Sequence, residues 1–329
     1  MNLPGTAGGP RAARAVGRRL HEIYVRQDHA LDRLPLVRLT TGAAVVRTVW
    51  HLPPGRFLAD YTRLADEAGE EPVEGRPMDP RAYEALRAVA AVSAGAWALG
   101  AGHPVVRVAA NVSFGLLQRQ VVRLDRTLWS YNSHLNVFLG LLSLVDDVER
   151  DGDRDAAAGY ATAVVAALQS YYAAMYLQSG LAKVVTVGWK WTRGSTLRGA
   201  WAELGTPLGK RLSAVEPSPA RAASTLALVY ELAFAPLMLM AWRHRRLLGL
   251  SSAAFHGAVK ATMDISFWHL SWYSVPLFGA PDRAVAACSR VLTAGRRNRW
   301  AGAGLAVAGA AAGAAPLVVS WLKGRRARV

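Results

Sequence analysis

The hydrophobic residues of this 329-residue chain are gathered into blocks, which short stretches rich in arginine, proline and acidic residues separate. A helical block of about 18 apolar residues is long enough to cross a hydrocarbon core about 30 Å thick. The pattern predicts an all-α fold, a polytopic transmembrane helix bundle of about eight spans with interfacial helices. The predicted spans are residues 36–50, 83–100, 105–117, 131–145, 156–187, 222–242, 251–278 and 300–322.

The segments outside these spans differ in character. Residues 53–83 are polar and acidic, which predicts an exposed loop. In residues 281–299 apolar side chains alternate with five arginines, and this favours a helix lying in the membrane interface rather than across it. The last span is rich in alanine and glycine, and small residues of this kind allow neighbouring helices to pack closely.

The formal net charge of +16 raises the question of nucleic-acid binding. The basic residues lie mostly at the ends of apolar blocks, where cations anchor helices and set their orientation, so the sequence favours a lipid bilayer and no nucleic acid. Because cytoplasmic loops are enriched in lysine and arginine, the basic N-terminal arm, residues 243–246 and residues 323–328 are predicted to be cytoplasmic. This places the chain in the cell membrane, with both termini cytoplasmic and Glu70 and Glu71 outside.

The same charge pattern suggests a division of the chain into three parts. Residues 1–34 form a basic cytoplasmic arm, residues 35–299 form the transmembrane module, and residues 300–329 form a final transmembrane helix with a basic cytoplasmic tail.

Several classes of chemistry find no support in the sequence. Cys288 is the only cysteine, which excludes an intrachain disulfide and a CxxC redox pair. The chain contains no P-loop, GxGxxG, GxSxG or HExxH motif, and no His/Asp/Glu cluster has the spacing of a metal site. No metal is therefore predicted.

Ionisable residues inside apolar spans are expensive, and they are the first candidates for function. Lys183 lies in such a span, and the neighbouring Leu181, Val184 and Val185 are expected to desolvate its amine and make the neutral, basic form accessible. The alternative is a structural lysine that extends to the lipid headgroups. His134 begins another span and is predicted to lie at a similar depth to Lys183; its alternative role is that of a polar residue at a helix start.

Two further groups of ionisable residues occur in the later spans. His256, Lys260 and Asp264 are spaced four residues apart, so one helix face should hold all three and continue to Trp268. Glu231 is alone in its span and is expected to need a cationic partner such as Lys260 or an arginine.

Three stretches of this sequence have the form of known motifs. They are Asn132-Ser133-His134, then Ser179-Gly180-Leu181-Ala182-Lys183 followed by Trp189 and Gly194, and finally Phe255-His256 followed by Ser274-Val275-Pro276-Leu277-Phe278. In this order, over roughly residues 35–295, they resemble the vitamin K-dependent γ-carboxylase-like membrane proteins, whose shared module is called the HTTM domain. Ala182 departs from the animal members, which have a second lysine at that position.

The resemblance implies a reaction and a role for each matching residue. Lys183 falls on the family lysine that deprotonates a reduced vitamin K-type quinone. The quinone then reacts with O2 to give a strong base, which removes a γ-proton from a peptidyl glutamate, and the carbanion captures CO2. His134 falls on the histidine that stabilises this carbanion chemistry, and His256 falls on a third polar position of the cavity.

Two hypotheses about function remain open from the sequence. The first is a quinone-dependent, carboxylase-like enzyme that modifies a secreted or membrane-associated peptide by carboxylation or a related oxidation. The second is a non-catalytic membrane partner in the maturation of, or immunity to, a secreted peptide. A transporter is less favoured because neither an inverted repeat nor a pair of broken helices is evident.

Overall fold

The computed structural model describes residues 9–68, 78–124, 133–144, 153–215, 217–297 and 299–326. All regular secondary structure in these ranges is helical, which confirms the predicted all-α fold. The α-helices are α1 (Gly9–Tyr24), α2 (Ala30–His51), α3 (Gly55–Glu67), α4 (Pro80–Ala98), α5 (Pro104–Leu124), α6 (Ser133–Ser143), α7 (Arg154–Thr186), α8 (Ser195–Leu204), α9 (Pro207–Ala214), α10 (Ser218–Met240), α11 (Arg245–Met263), α12 (Trp268–Ser274), α13 (Asp282–Arg297) and α14 (Arg299–Arg326). Short 3₁₀-helices cover Gly188–Arg193 and Trp242–His244, and a π-helix covers Val275–Gly279.

The helices belong to two compact units, each built from separate parts of the chain. Unit 1 contains Met1–Arg33 and Asp153–Val285, and unit 2 contains Leu34–Gly152 and Ala286–Val329. These boundaries differ from the three-part division suggested by charge, which stays a prediction about membrane segments.

The prediction of a loop over residues 53–83 is wrong in its first part, where α3 forms. The apolar residues of α3 recur with helical spacing, and Leu58 and Thr62, one turn apart, are both buried. Asp60 and Glu67 of this helix are both exposed, so these acidic residues are compatible with a helix that buries its other face. Glu70 and Glu71 lie outside the described residues.

The predicted span 251–278 is interrupted, and its start is also different. α11 begins at Arg245 and ends at Met263, where Asp264 takes the left-handed conformation with φ 57°. Aspartate tolerates this conformation better than most residues, and a left-handed residue after the last turn is a common helix end. The shared face of His256, Lys260 and Asp264 therefore stops there, and Trp268 begins a new helix.

In unit 2, the small residues of the last helix do allow close packing, as predicted. A Cβ atom added at Gly95 of α4 would lie 2.1 Å from the carbonyl oxygen of Gly309 on α14, and one added at Gly313 would lie 2.2 Å from that of Ala91. The two backbones are thus in direct contact along this pair of helices. Residues 282–297 form a separate helix, α13, that ends before α14 begins, while its place in the membrane interface stays a prediction.

Among the described residues, one helix is long and apolar enough to cross a membrane. It is α10, with a mean hydropathy of 1.6 over its most apolar window. Shorter apolar stretches occur at Ser133–Ser143 and Ala303–Val319. The other long helices have more charged residues or are less apolar, so the count of eight spans stays a prediction.

Candidate functional site

A buried ion pair joins α7 to α10 in unit 1. Nζ of Lys183 lies 2.7 Å from Oε1 and 2.6 Å from Oε2 of Glu231. It also lies 2.8 Å from Oγ of Ser179, one turn earlier on α7. The Ser179 hydroxyl is itself 3.2 Å from Oε1 of Glu231, so the amine, the hydroxyl and the carboxylate form one closed cluster.

Gly180 allows this cluster to form. A Cβ atom at this position would lie 2.9 Å from Cδ2 of Leu232 and 3.1 Å from Cβ of Glu231. A larger residue would therefore force the Leu232 side chain to move and would crowd the residue that carries the carboxylate. The glycine of the Ser-Gly-Leu-Ala-Lys stretch has a direct packing role here.

The surroundings of Lys183 combine charged, aromatic and apolar groups. Its side chain is 21% exposed, while that of Glu231 is 6% exposed. Leu181 and Val185 are exposed and Val184 is half-buried, and the predicted desolvation of the amine by these three residues stays a prediction. The ring of Trp191, whose centroid lies 5.4 Å from Nζ, provides an aromatic contact. The amine thus contacts both a carboxylate and an aromatic ring.

Glu231 does have a cationic partner, as expected, but this partner is Lys183 and not Lys260 or an arginine. Lys260 pairs with Asp264 at the end of α11, and both side chains are mostly exposed. Exposed pairs one turn apart contribute little to stability. This second pair is a feature of the helix surface.

His256 lies in a second polar group of unit 1. Its side chain is buried, and Nε2 is 2.7 Å from the hydroxyl of Tyr176 on α7. The same hydroxyl is 2.7 Å from Oγ of Ser252, which also contacts the hydroxyl of Tyr172. Nδ1 of His256 is buried and has no hydrogen-bond partner among the described residues.

Lys183 and His256 do not touch, but adjoining side chains connect them. The ring of Tyr176 lies edge-on to that of Tyr230, the chain neighbour of Glu231, with centroids 5.4 Å apart. Tyr176 thus contacts both His256, through its hydroxyl, and the chain neighbour of Glu231, through its ring.

His134 lies in unit 2, at the second residue of α6, and is half-buried. Asn132, the first residue of its motif, lies outside the described residues. A site shared by His134 and Lys183 stays a prediction, since the two residues belong to different units.

The Lys183 cluster contains polar groups that can bind a ligand hydroxyl. It places an amine, a carboxylate and a serine hydroxyl within hydrogen-bond distance of each other, beside the aromatic Trp191. The amine and the hydroxyl can donate hydrogen bonds and the carboxylate can accept them, so the cluster offers both kinds of partner to a ligand hydroxyl. Within the described ranges, no group of three or more His, Cys, Asp or Glu side chains could hold a metal ion.

Sequence reasoning missed three members of the polar groups in unit 1. Tyr172 and Tyr176 are one helical turn apart in an apolar helix, and this spacing would have placed both hydroxyls on one face. Ser252 is four residues before His256 and so shares its face. Nothing in the local sequence shows that the face of Tyr172 and Tyr176 packs against the face of Ser252 and His256.

Comparison with known proteins does not add to this picture: no protein-family model, curated protein or solved structure matches the chain.

Proposed function

We propose that this chain is a multi-pass membrane protein of the γ-carboxylase-like type, which modifies a peptide with the help of a reduced quinone and uses Lys183 as the base. The observation that supports this most is the Lys183 cluster. It places a partly exposed amine at 2.6 Å from a buried carboxylate, on two helices with few other charges. Such ionisable groups in apolar helices are a default sign of function.

The polarity of the surface supports a membrane location. In α10 only 28% of the most apolar window is buried, unlike the core helix of a soluble protein. On α5, Val105, Val108 and Val112 follow helical spacing and are 66%, 59% and 55% exposed. Gln169, in contrast, is fully buried. Apolar side chains outside and polar side chains inside suit a hydrocarbon solvent, which extends the membrane proposal beyond α10.

The cluster offers a route for the proton that a base must handle. One proton of the Lys183 ammonium passes to Oε2 of Glu231, which leaves a neutral amine and a neutral carboxyl group. Nζ then accepts a hydroxyl proton from the ligand, and Ser179 keeps the amine in position through its 2.8 Å contact. A bound reduced quinone would supply, together with O2, the strong base for abstracting a glutamate γ-proton, and CO2 would supply the new carboxyl group.

A cavity with a cationic lining is formed by residues that follow Lys183 in the sequence. It has a volume of about 460 Å³. Its lining includes Arg193, the last residue of the 3₁₀-helix that contains Trp191, and Arg198 of α8. The Nε atom of Arg198 donates to the carbonyl of Ser213 at 2.7 Å, which fixes the orientation of this guanidinium group. Two arginines in one cavity suit the carboxylate of an acidic peptide.

The test is mass spectrometry of a candidate secreted peptide, co-expressed with the wild-type chain or with variants. The wild type should add a carboxyl group or an oxidation to the peptide, while Lys183→Arg should not, because arginine keeps its proton. A paired variant, Lys183→Met with Glu231→Leu, removes both charges together and should fold but also fail. Full modification by Lys183→Arg would overturn the catalytic role.

The second candidate is a non-catalytic membrane partner of a secreted peptide, and one observation favours it. Each charge of the Lys183–Glu231 pair is fully compensated by the other, and buried ion pairs are often structural. In that case Lys183→Arg and the paired variant should both leave the peptide mature. The same experiment therefore separates the two candidates.

A further inference from the structure

A row of hydroxyl groups leads from the main chain to His256 in unit 1. The hydroxyl of Tyr172 donates to the carbonyl of Leu270 at 2.9 Å. Oγ of Ser252 contacts the hydroxyls of both Tyr172 and Tyr176. The Tyr176 hydroxyl reaches Nε2 of His256 at 2.7 Å. All four side chains are buried, which isolates the row from competing solvent.

Counting hydrogens gives this row one direction. A hydroxyl has a single hydrogen, and a carbonyl oxygen can only accept. The hydrogen of Tyr172 is used on Leu270, so Ser252 must donate to Tyr172. Its own hydrogen is then used, so Tyr176 must donate to Ser252. The oxygen of Tyr176 is left to accept from Nε2–H of His256. The reverse direction would leave Ser252 and Tyr172 facing each other with lone pairs only.

This direction determines the state of the histidine. A neutral imidazole has one N–H, and with the hydrogen on Nε2 the other nitrogen, Nδ1, is a bare acceptor. Nδ1 is buried and has no partner among the described residues. A buried acceptor without a donor is unfavourable, and a ligand that brings a donor relieves it.

The surroundings of the imidazole indicate the kind of donor. The rings of Phe255 and Phe267 both have centroids 5.4 Å from that of His256. An acceptor nitrogen among aromatic rings suits an aromatic ligand with a hydroxyl group, since the rings pack against its face while the hydroxyl reaches the nitrogen.

We propose that Tyr172 is a positioning residue which, through Ser252 and Tyr176, holds His256 with a free Nδ1 that accepts a hydrogen bond from the phenolic hydroxyl of an aromatic ligand. The ligand class rests on the proposed function, because a reduced quinone is such a phenol. The state of the imidazole does not depend on it. Tyr172 acts at a distance, because its own hydroxyl does not touch the imidazole.

The first measurement is nuclear magnetic resonance of the full chain in detergent, with ¹⁵N-labelled histidine and the His256 signal assigned from its loss in His256→Gln. The wild type should show hydrogen on Nε2. Tyr172→Phe frees the Ser252 hydrogen for Tyr176, the row reverses, and the histidine hydrogen should move to Nδ1. Ser252→Ala breaks the row at its middle and should do the same, which keeps the test decisive where one variant does not fold.

A matched control is Tyr24→Phe, which removes a hydroxyl that contacts Ser170 of α7 at 3.0 Å, outside the row. It should leave hydrogen on Nε2. Hydrogen on Nδ1 in the wild type, or an unchanged state in both row variants, would overturn the assignment of the row.

The second measurement adds a naphthohydroquinone or its dimethyl ether to the labelled chain. The two probes share the ring, but only the first has hydroxyl donors. The hydroquinone alone should shift the Nδ1 signal; equal shifts from both probes, or from neither, would overturn the ligand site. A chain that passes both measurements yet modifies no peptide would overturn the proposed reaction and leave this inference standing.

Discussion

The amine of Lys183 on α7 donates hydrogen bonds to both carboxylate oxygens of Glu231 on α10, at 2.7 and 2.6 Å. Neither charge is paired with a group nearby in sequence. The pair therefore links two helices as well as forming the candidate site, and a variant of either residue changes packing and chemistry together. Experiments on this site need to separate the two effects.

Lys183→Ala should destabilise the chain by about 3 kcal/mol, because it leaves the Glu231 carboxylate buried without a cationic partner. The partial exposure of Lys183 places the expected cost at the lower end for a buried pair. Chemical denaturation in detergent measures this. Lys183→Ala combined with Glu231→Ala should cost less than the sum of the two single variants; strict additivity would show that the two charges do not interact.

Gly95→Ala should destabilise unit 2 by about 1–3 kcal/mol, because its Cβ would meet the carbonyl oxygen of Gly309 at 2.1 Å. Gly304→Ala on α14 is the control, since a Cβ there has no neighbour within 4 Å. It should be neutral, or stabilising by up to about 1 kcal/mol from helix propensity. Thermal unfolding of both variants measures the two changes in stability. Equal effects would contradict the close contact of α4 and α14.

Asp282 should give unit 1 a stability that depends on pH. Burial of its carboxyl group opposes ionisation, but Arg245 and Arg33 outweigh this and hold the pKa of Asp282 below its ordinary value of 3.8. The ion pairs, at 3.0 Å to Arg245 and 2.6 Å to Arg33, therefore stabilise the folded chain fully above pH 3.8, and this contribution is lost as the pH falls through the lower folded-state pKa.

Asp282→Asn is the variant that checks this, with unfolding measured between pH 7 and the acid range. It should be less stable than the wild type at neutral pH, and the difference should shrink as the pH falls below the ordinary aspartate range. A difference that stays constant into strong acid would show that the carboxylate charge contributes nothing.

Arg193→Gln together with Arg198→Gln should weaken the use of an acidic peptide by about tenfold, roughly 1.4 kcal/mol. Both arginines line the cavity beside the 3₁₀-helix. The effect should appear in the peptide concentration needed for half-maximal modification. Arg211→Gln, an exposed arginine of α9 outside the cavity lining, is the control for loss of positive charge. Equal effects of both changes would point to overall charge instead.

Topology can be tested because Cys288 is the only cysteine and is exposed. In a Cys288→Ser background, a single cysteine at Glu70 should react with a membrane-impermeant thiol reagent from outside. One at Lys323 should react only from the cytoplasmic side, as the basic tail predicts. Labelling of both positions from one side would contradict the eight-span arrangement.

Local pattern along the chain determined the class of the fold. The apolar blocks and the arginine stretches at their ends both favour membrane helices, and these are properties of neighbouring residues. Lys183 and His256 could be selected as candidates for the same reason, since an ionisable group in an apolar block stands out without knowledge of its partners.

Tertiary structure decided which of these groups meet. Glu231 pairs with Lys183 and not with Lys260, because α10 packs against α7 beside Gly180, whereas Lys260 pairs with Asp264 on the surface of α11. Likewise, α11 ends at Asp264, although the apolar pattern continues beyond it. Hydrogen bonds between helices depend on which faces pack together, and a one-dimensional pattern of polar and apolar residues specifies a face but not the helix opposite to it.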